Sequence, residues 1–134
     1  MKIKRLLRFY FGAGSLDRAL NNIIMRTAVA AGQDIYGGCE LYAERMLAII
    51  SAKEQLSKLW FRLNGVICQM TVNDAATLKA YAAMRTGARG EQKREIHRAV
   101  VKFSRRAFNI LSGDGAAYKI LCAYYALVPA ECEG

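Results

Sequence analysis

The chain has 134 residues, a size that suits one domain able to bury a core without disulfides or metals. Its hydrophobic content of 54%, single proline and lack of low-complexity runs exclude a disordered tail. Polar or charged residues break every apolar run before the roughly 18 residues that a membrane-spanning helix needs. The net charge of +9 is concentrated in two places: Lys2, Lys4, Arg5 and Arg8 stand without an acid at the start, and between 85 and 106 eight cations face only Glu91 and Glu95. The remainder is close to neutral, so the basicity sits where a localised anionic partner would select it, beyond what solubility requires.

Residues 1–11 open like a signal peptide, but Arg8 splits the apolar part, which points to retained structure. Ile3, Leu6, Leu7, Tyr10 and Phe11 recur at helical spacing opposite the four cations, giving a short basic amphipathic helix that Gly12 and Gly14 stop. A helix of about ten residues is marginal alone in water, so this one is expected to dock on the domain; a membrane surface is the weaker alternative for residues 1–11. Ser15 is placed to cap a second helix, with Asp17 in its first turn and a stripe of Leu16, Leu20, Ile23, Ile24 and Thr27 that ends near Gly32. After a turn over Gln33 to Gly38 comes the longest pattern: Tyr42, Met46, Ile49, Leu56, Trp60, Leu63, Ile67 and Met70 alternate steps of four and three, with only Lys53 breaking the series. Such a seam suits another helix. Ser51 and Glu54 have capping-box spacing, so 39–70 is one helix or two, and a break or kink near residue 51 is expected.

Thr71 and Asp74 mark the next start, ahead of Ala75, Leu78, Tyr81, Ala82 and Arg85, and Gly87 and Gly90 interrupt that helix. The stretch EQKREIHRAVVKFSRR, Glu91 to Arg106, opens a helix expected to run to about Ser112, where Gly113, Asp114 and Gly115 stop it. A last helix carries Tyr118, Leu121, Tyr124, Tyr125 and Leu127 and ends before Pro129. No strand pattern and no internal repeat is evident. The expected fold is therefore all-α: a single domain over residues 1–134, a compact orthogonal or up-down bundle of five to six helices without a sheet. The Tyr42–Met70 seam lies at its centre, and Trp60, Leu63, Ile67, Leu78, Phe103 and Leu121 in its core.

On a helical wheel Ile96, Ala99, Val100, Phe103, Ala107, Ile110 and Leu111 gather in one arc of roughly 120°, and Arg94, Arg98, Lys102, Arg105 and Arg106 in another on the opposite side. A solvated face is one reading. Glu91 and Glu95 stand three residues before Arg94 and Arg98, spaced for intrahelical ion pairs, and Lys102, Arg105 and Arg106 lie toward the negative end of the helix dipole. Each such effect contributes only a few tenths of a kcal/mol, and none requires five cations. Phosphate binding is the other reading, because cations one turn apart, about 6 Å, approach the spacing of phosphates along a strand. Arg85 and Arg89 would extend the patch, and His97 and Ser104 beside it could donate further hydrogen bonds.

A helix over 72–85, a glycine-containing turn and the basic helix 91–112 also have the outline of a helix-turn-helix, although the first turns of the basic helix carry glutamates where base-reading residues would sit. MTVNDAATLKAYAAMR, Met70 to Arg85, resembles the opening helix of the C-terminal DNA-binding region of bacterial sigma factors. The resemblance ends there: the family's following helix and tight turn have no counterpart, and no residue role is taken from it.

Parts for catalysis are few. Cys39, Cys68, Cys122 and Cys132 form no CxxC or knuckle-like pair and His97 is the only histidine, so no metal is expected. A hydrophobic chain of this length does not need disulfides, and the thiols point to a reducing, cytoplasmic setting. Cys39, just after Gly37 and Gly38, is the candidate reactive thiol and His97 its only histidine partner, yet a structural cysteine and a surface histidine explain both. Gly12 and Gly14 do not complete a nucleotide-binding fingerprint, and no phosphate-binding GxxxxGK[ST] loop is present. The sequence thus favours a non-enzymatic, cofactor-free nucleic-acid-binding protein, an accessory or regulatory factor, with Arg85, Arg89, Arg94, Arg98, Lys102, Arg105 and Arg106 as phosphate contacts. The alternative is a helical protein-interaction or self-associating module, a dimer among its forms, whose cations meet an acidic protein or solvent.

Overall fold

The computed structural model describes residues 2–33, 39–84, 90–108 and 115–125. These form six helices and no strand: α1 (Lys2–Phe11), α2 (Ala13–Gln33), α3 (Cys39–Cys68), α4 (Val72–Ala83), α5 (Glu91–Arg106) and α6 (Gly115–Tyr124). The fold is an all-α bundle. Among the described residues no helix is long and apolar enough to cross a membrane.

Gly12 alone separates α1 from α2. Its N–H closes α1 on the Arg8 carbonyl at 2.9 Å, and its own carbonyl accepts the N–H groups of Ser15 and Leu16 at 3.1 and 3.3 Å to open α2. Ser15 is therefore inside the first turn and not the expected cap; its hydroxyl oxygen instead accepts from Arg18 at 3.4 Å. A buried glycine at the junction is short enough to serve both helices, which removes the need for a side-chain cap.

α2 and α3 form an antiparallel hairpin. Asp17 and Asn21, near the start of α2, both meet Lys53 halfway along α3, with Lys53 Nζ 3.4 Å from the Asp17 carboxylate. The lysine that breaks the apolar series thus faces α2 as a polar tie. The break expected near Ser51 does not occur, and α3 is continuous over 30 residues. Ile49, Ala52, Leu56, Leu59 and Leu63 are all buried at unbroken steps of three and four, so one straight run keeps the stripe in phase where a new start at Ser51 would rotate it.

Thr71 caps α4 as its spacing predicts: it is extended, and its side chain accepts the Asp74 N–H at 3.2 Å. α4 ends at Ala83, and α5 starts behind Gly90, whose φ of +66° suits glycine. Residues 84–90 therefore separate the two helices, more than the three or four residues of a helix-turn-helix. α5 stops at Arg106, with Ala107 as its cap; Phe108 is again helical, and residues 109–112, over which the helix was expected to run, lie outside the described residues. Ile110 and Leu111 lie outside the described residues, as do Leu127 and Pro129.

α3 is the central helix; α1, α2, α5 and α6 pack on it, and α4 bridges α1 and α5. The core joins Leu6, Leu7 and Phe9 with Leu16, Leu20, the inner stripe of α3, Leu78, Phe103 and Leu121. Leu63, Ile67, Leu78, Phe103 and Leu121 are buried as expected, but Trp60 is only half-buried. Its indole N–H donates to the Tyr10 carbonyl at 3.0 Å and its ring stacks on Tyr10, centroids 5.3 Å apart. A polar N–H that needs a partner draws the ring to the rim, where it lines a cleft of about 240 Å³ between α1, α2 and α3.

Candidate functional site

α5 buries Ile96, Ala99, Phe103 and Ala107 and turns Arg94, Arg98, Lys102, Arg105 and Arg106 to the surface, where all five are exposed. The strip expected from the periodicity therefore forms. From Arg94 to Arg105 it rises about 16 Å at 1.5 Å per residue.

Its members are not equivalent. Lys102 Nζ lies 3.2 Å from the Asp74 carboxylate, and Arg106 donates from Nη1 to the Gln69 carbonyl at 2.8 Å. These two lean toward α4 and the turn before it. Arg94, Arg98 and Arg105 make no ion pair or hydrogen bond with any described residue. The intrahelical pairs expected from Glu91 and Glu95 to Arg94 and Arg98 are not formed, since the exposed side chains gain little by surrendering rotamer freedom to hold them. The strip is thus three uncommitted guanidinium groups beside two tied cations.

The flanks also differ. Toward α4, a cleft of about 490 Å³ mixes Arg98 and Lys102 with Asp74 and Glu95. On the other side, an open cleft of about 600 Å³ is lined by Lys93, Arg94, His97 and Arg98 over Tyr81, Ile96 and Val100, without an acid. His97 is exposed there, as expected. Ser104 is not the free donor the sequence suggested: its hydroxyl donates to the Val100 carbonyl one turn back, at 2.7 Å. Arg85 and Arg89 lie outside the described residues.

The other basic segment behaves differently. α1 docks on the domain, with Leu6, Leu7 and Phe9 buried. Arg8 donates from Nε to the Ala82 carbonyl at 2.8 Å and from Nη2 to the Met84 carbonyl at 3.1 Å, capping the C-terminal end of α4. The Lys4 ammonium lies over the Tyr81 ring, 5.1 Å from its centroid, and burial followed by the nearby Arg8 pushes it below its ordinary pKa. Arg5 stands over Tyr125 at 5.2 Å, and hydrogen bonds to Cys122 and then Tyr118 hold its guanidinium above its ordinary value. Sequence periodicity did not reveal these roles, because each partner lies on a distant helix.

Among the described residues no cluster of His, Cys, Asp or Glu is arranged to hold a metal. Cys68 is an exposed free thiol and Cys122 a half-buried one; the Cys39 side chain and Cys132 lie outside the described residues. Compared with protein-family models, with curated proteins and with solved structures, the chain matches none at a significant level.

Proposed function

We propose that this is a non-enzymatic nucleic-acid-binding protein that meets the phosphate backbone through the outer face of α5. The observation that carries the reading is the set of three exposed guanidinium groups, Arg94, Arg98 and Arg105, that no carboxylate of the described fold engages. Each presents planar paired donors matched to phosphate oxygens. Lys102 and Arg106 stand at the edge of the same face, and their surface contacts are weak enough to exchange for a phosphate. With glutamates in its first turns and a long connection before it, α5 serves as a backbone clamp and not as a reader of base edges.

The test is a titration with labelled duplex DNA and with RNA across salt concentrations. Contact with three to five phosphates predicts a slope of log K against log salt of about −3 to −5, and each of Arg94→Gln, Arg98→Gln and Arg105→Gln lowers that slope by about one. Equal binding of wild type and the triple variant overturns the reading. Binding to polyglutamate with none to nucleic acid assigns the face to an acidic protein instead.

A further inference from the structure

α3 is apolar on two sides. Its inner stripe, Ile49, Leu56, Leu59, Leu63 and Ile67, faces the core. On the far side a second row runs through Ala43, Leu47, Ile50, Glu54, Ser57 and Phe61 to Cys68, in alternating steps of four and three closed by one of seven, and every member is exposed. Leu47, Ile50 and Phe61 are 66%, 45% and 67% exposed, a concentration of large apolar side chains that water does not favour. The repeat is that of a helix-pairing seam over more than three heptads, with Glu54 and Ser57 as its polar members.

The charges beside the row are segregated. Glu40 and Glu44 lie along one edge at its start, and Lys58 and Arg62 along the same edge toward its end. A parallel neighbour would set like against like. An antiparallel copy related by a two-fold axis near Ala52 sets Glu40 and Glu44 of each chain against Arg62 and Lys58 of the other, with Phe61 across from Ala43. We propose that the outer row of α3 is a self-association surface, and that two copies of this chain pair through it as antiparallel helices. The proposal is independent of nucleic-acid binding, since α3 and the cationic face of α5 are separate surfaces.

Sedimentation equilibrium of the full chain without nucleic acid tests it. The expected result is a two-chain particle at about 100 µM. Leu47→Glu and Phe61→Glu each weaken association tenfold or more, while helical circular dichroism stays unchanged because both side chains are exposed. Glu44→Lys and Lys58→Glu each weaken the dimer, and the two together restore it, a rescue that only the antiparallel register predicts. A monomer at that concentration, a dimer indifferent to Leu47→Glu and Phe61→Glu, or a failure of the double charge exchange to rescue would each overturn the proposal.

Discussion

The cations of α1 end on the protein itself, Arg8 on the last carbonyls of α4 and Lys4 and Arg5 over the rings of Tyr81 and Tyr125, whereas Arg94, Arg98 and Arg105 of α5 end in solvent. Both helices are short, basic and amphipathic, so charge and pattern do not separate them. The width of the buried arc does. Leu6, Leu7 and Phe9 span about 160° of α1, so neighbours wrap it and catch the flanking cations, while Ile96, Ala99, Phe103 and Ala107 span only about 80° of α5 and leave its far side unreached. A basic helix enclosed over nearly half its circumference becomes a structural strut; one held along a narrow stripe presents its charge outward.

That contrast can be broken most forcefully at Leu7, which is fully buried in the core. Leu7→Ala is expected to destabilise the fold by about 2–5 kcal/mol in urea unfolding, and a cost below the lower figure would mean that α1 is only loosely docked. Arg8→Ala comes next, at about 1.5–3 kcal/mol, because it leaves two carbonyls at the end of α4 without their charged donor. Arg8→Lys should recover only part of this, since an ammonium cannot reach both oxygens in a fork. On α5, Lys102→Ala removes the exposed pair with Asp74 and is expected to cost at most about 1 kcal/mol, an effect that fades in high salt. Smallest for stability are Arg94→Gln, Arg98→Gln and Arg105→Gln, each within about 0.5 kcal/mol of wild type by thermal unfolding, although these are the changes expected to reduce polyanion binding. If they destabilise the fold as Arg8→Ala does, the division between strut and surface is wrong.

Much of this architecture is legible in local pattern. Thr71 and Asp74 announce the start of α4, Gly90 precedes α5, and the spacing of Ile96, Ala99, Phe103 and Ala107 places the cations of α5 on the opposite side before any neighbour is known. Local pattern fails where a choice rests on a distant helix. Ser51 and Glu54 have the spacing of a helix start, yet the stripe buried against the other helices keeps α3 running through them. Trp60 has the size of a core residue, but the Tyr10 carbonyl holds its N–H at the rim. Ser104 looks like a free donor until the helix's own Val100 carbonyl accepts it.

The sequence by itself determined an all-α chain, the positions of most helices, and a helix with cations on one side and core on the other, because each follows from the 3.6-residue period and from capping chemistry between near neighbours. Only the tertiary structure decided which cations are spent. Arg8 meets α4 across more than seventy residues of chain and Lys102 meets Asp74 across 28, and such pairings are set by how the helices stack. The exposed second row of α3 likewise became visible only once the inner stripe had claimed its partners.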